Sequence, residues 1–361
     1  MSMRKLPAGI LSLALFFSIS SCDMASESTS DSSESGTESS PYTISSAEEL
    51  DAVRGGVEGY EDWGLDDYYT LTNDIDLSSY DWEPIGSASF PFSGGFDGAG
   101  YSISNLTVDI STSSAGLFAS ISGTVEDLFI EGANVSGRQN VGILSGWSYG
   151  EISDCAVSGT VISTYGGNVG GLVGSNYGTL SDSYAEADIT SQADSGEGYG
   201  SGSGENVGGL VGYNSGALNE CYATGKVTAY DDYAGGFVGY HDEGSLFDSY
   251  ATGEVSSSED HVGGFAGYND EGSLSSCYSL GAVGSTNSSA VYVHGFAGDS
   301  ASSDGFESCY YNEALAGFDD DYAEDVDLDV MSSFEGFDFD STWSISSSVN
   351  GGTPYLLNLV P

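Results

Sequence analysis

The fold is decided by two stretches that are near copies of each other, VGGLVGYNSGALNECYATGKV (residues 207–227) and VGGFAGYNDEGSLSSCYSLGAV (residues 262–283). Their Gly-rich half recurs along the chain, and its central apolar residues are Leu144, Leu172, Leu210, Phe237, Phe265 and Phe296, with a weaker copy at Leu117. The intervals from Leu144 onward are 28, 38, 27, 28 and 31 residues, and the longest contains a Gly/Ser/Glu-rich insertion at residues 191–205. A recurring interval of this length predicts a solenoid.

The second half of each repeat alternates between two kinds of residue. One parity holds Cys221, Ala223, Gly225 and Val227, and the other holds Tyr222, Thr224 and Lys226. A period of two indicates a β-strand, and because the charge of Lys226 cannot be buried unpaired, the small residues should point inward. About three short strands per repeat fit one coil of a parallel β-helix, in which matching residues lie about 4.8 Å apart on successive coils.

The predicted fold class is therefore all-β, a parallel β-helix (solenoid) with a short N-terminal capping helix and an irregular C-terminal cap. Residues 46–53 predict the helix, with Ser46 as the N-cap and Glu49 three residues later. We expect the N-terminal cap and first coils at residues 42–112, the repeat β-helix at 113–298, and the last coil and cap at 299–361.

The first 41 residues predict targeting and tethering. Arg4 and Lys5 precede an apolar run that is too short to span a bilayer, so residues 1–21 should be a signal peptide. The sequence ISSC at residues 19–22 resembles the lipobox of bacterial lipoproteins, in which Cys22 would be the lipid anchor. Residues 22–41 should form a disordered Ser/Glu-rich tether. The expected location is the bacterial cell envelope, at the outer membrane or cell surface, with the membrane contacted through the lipid anchor only.

The charge of the chain limits its partners. The sequence has 55 acidic and 5 basic residues and a formal net charge of −50, which excludes nucleic acid as a partner. With 39% hydrophobic and 12% aromatic residues, the chain is too apolar for a disordered acidic tail, so most of it should bury a core.

Residues 207–227 and 262–283 resemble the GLUG repeat, which occurs in bacterial surface proteins, adhesin-like proteins and the non-catalytic regions of some immunoglobulin A metallopeptidases. Residues 69–86 and 92–108 are similar to the region that commonly precedes such repeats, and residues 336–345 and 354–359 resemble the usual ending. The resemblance covers nearly all of the chain after residue 41 and implies a right-handed β-helix on a cell surface. It implies no reaction, and the zinc-binding H-E-x-x-H sequence of the peptidases is absent.

The residue types that most often carry catalysis show no catalytic pattern. His241, His261 and His294 lack metal-ligand spacing, and we expect them at the surface or in turns. Cys155, Cys221, Cys277 and Cys309 should share an inward column with Ser183 and Ser249, as packed thiols.

Two outward columns of tyrosine are candidate glycan-stacking sites. The first comprises Tyr184, Tyr222, Tyr250, Tyr278 and Tyr310, and the second comprises Tyr213, Tyr240 and Tyr268, continued by Trp147. Their rings could stack on sugars, or they could stack on one another as a stabilising ladder with their hydroxyls in water.

Acidic turns recur at the repeat interval and are candidate calcium ligands. Asp231 and Asp232 recur as Glu259 and Asp260, and Asp242 and Glu243 recur as Asp270 and Glu271. Like charges about 5 Å apart repel by about 0.8 kcal/mol in water, and Ca²⁺ would convert that repulsion into coordination. The alternative is an acidic surface that keeps the protein soluble.

These observations predict a non-catalytic envelope lipoprotein that binds a glycan or a partner cell surface. Two alternatives remain open at this point: a carbohydrate-active β-helix enzyme, either a hydrolase or a lyase, and a passive structural spacer. Calcium is the one candidate cofactor.

Overall fold

A computed structural model describes residues 35–111, 114–192, 206–230, 232–326 and 331–359. Within these residues the chain winds through about nine turns of a β-solenoid, and nearly all of its strand pairs are parallel. The predicted all-β parallel solenoid is therefore confirmed.

The N-terminal part contains β1 (Tyr42–Ile44), α1 (Ala47–Ala52), β2 (Tyr68–Leu71), β3 (Ile75–Asp76), β4 (Gly95–Asp97), β5 (Ser102–Ser104) and β6 (Thr107–Asp109). The next coils contain β7 (Phe118–Ile121), β8 (Thr124–Glu126), β9 (Phe129–Gly137), β10 (Ser145–Ser148), β11 (Glu151–Ser153), β12 (Ala156–Ser163), β13 (Asn168–Gly170), β14 (Val173–Asn176), β15 (Thr179–Ser181) and β16 (Tyr184–Ser191).

The later coils contain β17 (Asn206–Gly208), β18 (Val211–Asn214), β19 (Ala217–Asn219), β20 (Tyr222–Ala223), β21 (Val227–Thr228), β22 (Ala234–Gly235), β23 (Val238–Asp242), β24 (Ser245–Ala251), β25 (Val255–Ser257), β26 (Val262–Gly263), β27 (Ala266–Asp270), β28 (Ser273–Ser279), β29 (Val283–Ser285), β30 (Val293–His294), β31 (Ala297–Ser300) and β32 (Phe306–Tyr311). The C-terminal part contains α2 (Glu313–Ala316), β33 (Glu324–Asp325), β34 (Trp343–Ile345) and β35 (Pro354–Leu356), with 3₁₀ turns at Ser303–Gly305, Met331–Ser333, Asn350–Gly352 and Leu357–Leu359.

Matching residues of successive repeats pair directly. A seven-stranded sheet stacks β7, β10, β14, β18, β23, β27 and β31, and a five-stranded sheet stacks β13, β17, β22, β26 and β30. The remaining solenoid strands form one large sheet. Because the register follows the sequence repeat, each position in the repeat becomes a column that runs along the solenoid.

Two of the inward columns of the core show how the repeat is used. Phe237, Phe265 and Phe296 are fully buried and stack with ring centroids 4.7 and 4.8 Å apart. The predicted cysteine column is also confirmed: all four described cysteines are buried and free, and the Cys221 amide donates to Ser249 Oγ at 3.2 Å. The period read from the sequence is thus the period of the core.

Close approach of neighbouring coils explains the glycine within the alternating half of the repeat. A Cβ atom on Gly225 would lie 1.8 Å from the carbonyl oxygen of Ala187 on the preceding coil. Any side chain there would force the two coils apart.

The predicted capping helix is present at the N-terminal end. The Ser46 side chain accepts from the Glu49 amide at 3.3 Å, and Glu49 Oε2 accepts from the Ser45 amide at 2.7 Å. Leu50 and Val53 are buried, so this short helix covers the first coil. No helix among the described residues is long and apolar enough to cross a membrane.

The C-terminal residues 331–359 return along the outside of the solenoid, and we call them the C-terminal strap. Phe334, Phe337, Trp343 and Leu356 of the strap form a second apolar cluster, separate from the interior core. Trp343 Nε1 donates to Asp248 at 2.9 Å, so the strap is anchored to a coil 95 residues earlier in the chain.

Candidate functional site

A stripe of aromatic side chains follows the outward face of the seven-stranded sheet. Trp147, Tyr213, Tyr240 and Tyr268 occupy the same register position on their coils, and Ser175 holds that position on the coil between Trp147 and Tyr213. Two residues later along the chain, a neighbouring column begins with Tyr149 and Tyr177. We call the six rings the aromatic stripe: Trp147, Tyr149, Tyr177, Tyr213, Tyr240 and Tyr268.

The stripe is continuous because each ring contacts the next. Tyr177 stacks on Trp147 and Tyr149 with centroids 5.8 and 5.0 Å apart, and Tyr240 stacks between Tyr213 and Tyr268 at 5.8 and 5.2 Å. Tyr149 is 52% exposed and Tyr177 39% exposed, and the other four are half-buried. The ladder predicted for this column is therefore present, and its rings present mainly their edges to solvent.

Carboxylates flank the C-terminal half of the stripe. The hydroxyl of Tyr213 donates to Asp242, and that of Tyr240 donates to Asp270 at 2.9 Å. Burial, followed by the hydrogen bond to the carboxylate, raises the pKa of both hydroxyls. The tyrosines thus remain protonated donors, and the paired aspartates are acceptors.

Beyond Tyr268 the register position is taken by Asp299, so the stripe ends at a carboxylate. Asp299 accepts from the Tyr322 hydroxyl at 3.0 Å and lies 3.7 Å from His261 Nε2. His261 stacks on Tyr292 with centroids 4.6 Å apart. The C-terminal end of the stripe is therefore closed by polar contacts.

The other predicted tyrosine column is wrong as an exposed glycan site. Tyr222, Tyr250 and Tyr278 do point away from the interior, and their rings stack at 4.9 and 5.0 Å, but the C-terminal strap buries them to 5% exposure or less. The Tyr278 hydroxyl donates to the carbonyl of Pro354 in the strap, not to water. Tyr184 alone among the proposed stacking residues of this column is half-buried.

The expectation for His241 is also wrong, because this residue is fully buried. It stands in register with Asn214 and Asn269, in an inward column of amide side chains. Asn176 Nδ2 donates to Asn214 Oδ1 at 2.8 Å, and Asn214 Nδ2 lies 3.0 Å from His241 Nδ1. Burial lowers the pKa of His241 to about 4. The alignment of GYN with GYH in the repeats was the signal that could have placed it.

The candidate calcium residues are only partly brought together. Asp242 and Asp270 pair on successive coils, but each accepts a tyrosine hydroxyl. Glu243 and Glu271 occupy left-handed turn positions beside them. Asp232 and Asp260 also lie on successive coils, since Ala234 pairs with Val262, and Asp260 accepts from the Val291 amide.

Asp231, the eighth candidate calcium residue, lies outside the described residues, and Glu259 precedes Asp260. Over the part of the chain that the structure describes, no group of three or more His, Cys, Asp or Glu side chains is arranged to hold a metal ion. Calcium binding stays a prediction.

A further acidic column was missed by the sequence analysis. Four of its members directly precede a residue of the Cys/Ser column, and the fifth, Asp127, takes the same turn position one coil earlier. The column consists of Asp127, Asp154, Asp182, Glu220 and Asp248. Each has a left-handed φ between 48° and 52°. Burial and, to a smaller extent, the negative charges of Asp182 and Asp127 raise the pKa of Asp154. The repeated acidic residue directly before the Cys or Ser was the available signal.

Carboxylates also line a cleft of about 260 Å³ on the N-terminal coils, next to Glu38, Tyr68, Asp97, Glu126 and Glu151. Asp97 accepts from the Ala99 amide at 2.7 Å and from Thr70 Oγ1 at 3.3 Å. Burial and, to a smaller extent, the negative charge of the nearby Asp97 raise the pKa of Glu126. One carboxylate is thus held by donors while its neighbour is biased towards the protonated form.

Cys22 and the predicted signal peptide lie outside the described residues, as do residues 193–205 of the predicted insertion. The lipid anchor and residues 22–34 of the tether therefore stay predictions. The prediction of a disordered tether is wrong for residues 35–41, because the Gly36 carbonyl accepts from the Tyr68 amide at 3.0 Å and Glu38 lines the cleft.

The GLUG motif matches residues 165–190, 203–228 and 232–256. The chain contains GLUG repeats. The three GLUG repeats begin at the coils of β13, β17 and β22, and two of them carry Tyr177 and Tyr213 of the aromatic stripe, while Tyr240 belongs to the third. The resemblance stated from the sequence is confirmed, and the aromatic stripe extends beyond the matched repeats at both ends.

Two relatives match about a third of the GLUG-repeat chain. The chain is 36% identical over 139 residues to halomucin of Haloquadratum walsbyi, and the match covers 35% of this chain and 2% of halomucin. It is 36% identical over 135 residues to a protein of Evansella cellulosilytica provisionally named a Gly-rich membrane protein, which covers 34% of this chain and 15% of that protein. The chain therefore spans a small fraction of the length of these relatives.

A solved structure shares the fold over most of the chain. The crystal structure of a Bacteroides ovatus protein, provisionally named an immunoglobulin A1 protease, superposes with a TM-score of 0.56 and covers 90% of this chain and 94% of its own. At 21% identity this likeness shows the fold alone.

Proposed function

We propose that this protein is a non-catalytic binding module of a bacterial cell envelope, and that it holds a glycan on the aromatic stripe. The observation that carries the proposal is the stripe itself: six contacting rings on one outward face, two of them more than a third exposed. Contiguous exposed aromatic patches often mark binding sites, and aromatic side chains with polar neighbours suit an amphipathic ligand.

The charge of the chain narrows the glycan class. With a net charge of −50, the surface repels uronate-rich or sulfated polysaccharides within the Debye length. Neutral glycans are not repelled by this charge, and the carboxylates beside the stripe can accept hydrogen bonds from the hydroxyl groups of the glycan. The preferred ligand is therefore an uncharged polysaccharide.

An envelope location is supported by the lipobox-like sequence at Cys22 and by a relative named as a membrane protein. In this proposal Cys22 carries the lipid, and residues 22–34 hold the solenoid away from the membrane. A palmitate-labelling comparison of the wild type with Cys22→Ser in a bacterial host tests this part separately.

A glycoside hydrolase is the second candidate, because the cleft holds Asp97 and Glu126 in different environments. Hydrolases of this class use one protonated and one ionised carboxyl group on opposite sides of the scissile bond. The aromatic stripe lies on another sheet, so a hydrolase would use the two surfaces for different tasks.

One experiment separates these functions. The purified chain and its Glu126→Gln variant are incubated with immobilised neutral polysaccharides, and both retained protein and released reducing ends are measured. Retention without release supports the binding module. Release by the wild type that is lost in Glu126→Gln identifies a hydrolase, and neither retention nor release identifies a passive spacer and refutes the proposal.

A further inference from the structure

Among the described residues, no ring covers the N-terminal end of the aromatic stripe at Trp147 and Tyr149, where Trp147 Nε1 donates to Ser114 Oγ at 3.1 Å. These two rings come from the same coil, are nearly parallel at 4° and have centroids 6.1 Å apart. Tyr177 covers both of them on the side of the following coil. On the side of the preceding coil the register positions are Ser120 beneath Trp147 and Ser122 beneath Tyr149. No ring of the stripe continues below them.

The interior rings of the stripe cannot serve as stacking surfaces. Tyr240 has Tyr213 on one face and Tyr268 on the other, so only its edge is available to a ligand. A sugar ring stacks through its C–H face on the face of an aromatic ring, and that face is free only where the stack ends. Stacking should therefore occur at the open end and not along the whole stripe.

A ring added at the open end would continue the spacing of the stripe by one coil. Rings in the stripe follow each other at 5.0–5.8 Å along successive coils, so a flat ring placed under Tyr149 would lie above Ser122. Ser122 is exposed, whereas Ser120 is buried, which locates the solvent-open part of the step beneath Tyr149.

Exposed polar and apolar residues follow this step in the register of the neighbouring coils. Thr124 and Glu151, both exposed, pair with each other just past Ser122 and Tyr149. On the next coil towards the N-terminus, residues 86–91 form a turn between two bridges to β7, and its Phe90 is 73% exposed. An amphipathic ring with hydroxyl groups along its rim fits this arrangement.

We infer that Tyr149, with Trp147, forms a stacking platform for one uncharged pyranose ring of a polysaccharide, which takes the place of the missing ring above Ser122. This inference rests on the proposed function and names the part of the stripe that recognises the ligand. Glu151 and Thr124, which also line the edge of the N-terminal cleft, are the candidate hydrogen-bonding groups for the sugar hydroxyls, and the other rings support the platform from the following coils.

The test uses the full chain, soluble neutral polysaccharides (a mixed-linkage β-glucan, a glucomannan and a pullulan) and affinity electrophoresis at 1 M NaCl, where the Debye length is about 3 Å. Tyr149→Ala should weaken binding about tenfold, a change of about 1.4 kcal/mol, while Tyr149→Phe keeps the ring and should bind within about twofold of the wild type. Tyr230→Ala is the matched control, because Tyr230 is 47% exposed but not part of the stripe. Circular dichroism verifies that each variant is folded.

The outcomes distinguish the two proposals. Unchanged binding by Tyr149→Ala overturns the platform and leaves the binding module standing. Equal losses in Tyr149→Ala and Tyr230→Ala also overturn the platform, because the effect would then belong to the surface in general. If the wild type binds none of the polysaccharides, both the proposed function and this inference fail.

Discussion

Replacing His241 with asparagine should stabilise the solenoid, and by a larger amount in mild acid than at neutral pH. The imidazole interrupts the inward amide column. Because Asn214 donates to Nδ1, the ring proton lies on Nε2, and neither His241 Nε2 nor Asn269 Oδ1 on the next coil has a hydrogen-bond partner among the described residues. An asparagine at this position can accept from Asn214 and donate to Asn269.

The magnitude has a constant part and a pH-dependent part. Satisfying a buried donor and acceptor gains about 1–3 kcal/mol, and the smaller side chain leaves a cavity that costs about 1 kcal/mol. Burial lowers the pKa of His241 from 6.5 to about 4. Between these values the unfolded chain binds a proton that the folded chain does not, so the wild type loses stability as the pH falls, by about 3 kcal/mol in total.

The assay is urea denaturation of the wild type and His241→Asn at several pH values from 7.5 to about 4. The many carboxylates titrate in both proteins and cancel in the difference, so the advantage of the variant should grow by about 3 kcal/mol on acidification. His294→Asn, on the last repeat coil, controls for the change in composition. A difference between the wild type and His241→Asn that is the same at pH 7 and pH 4.5 would refute the assignment of a buried, neutral imidazole.

Three further predictions concern the packing of the coils. Trp343→Ala should lower the free energy of unfolding by about 3–5 kcal/mol, because the ring is fully buried and its Nε1 contacts Asp248. Thermal melting measures the loss, and limited digestion with chymotrypsin should cut first in the strap. Gly225→Ala should destabilise by more than about 1 kcal/mol, whereas Gly284→Ala, whose Cβ would meet no atom within 4 Å, should be nearly neutral; equal effects would contradict the close coil contact. Burial raises the pKa of the Cys155 thiol to about 12, so this and the other three buried thiols should react with a disulfide reagent at pH 8 only after unfolding, and rapid labelling of the native protein would count against the inward column.

Periodicity made the coils predictable from the sequence. Residues at the same place in the repeat, such as Phe237 and Phe265, stack because the register equals the repeat interval. Local chemistry was equally readable at Ser46 and Glu49, where the spacing of the capping side chains is set within one helical turn.

The errors came from contacts that the repeat does not encode. Tyr222, Tyr250 and Tyr278 belong to outward positions, and alternation correctly gives their direction, but it cannot reveal that a segment about 100 residues later covers them. His241 was expected at the surface or in a turn because it is a histidine, whereas its register with Asn214 and Asn269 places it in an inward column. The open end of the aromatic stripe also depends on a substitution within one column, a serine at Ser122 where Tyr149 and Tyr177 follow on the next coils, and on which ring faces are already occupied.

The C-terminal strap changes how the repeat array can come apart. Coils that contact only their neighbours can open one at a time from an end, but strap residues reach Glu220, Asp248, Tyr278 and Tyr310 on four successive coils. The strap thus contacts four coils at once. It therefore couples the C-terminal coils into one cooperative unit, so that the last coil can unfold only when the strap dissociates from all of them.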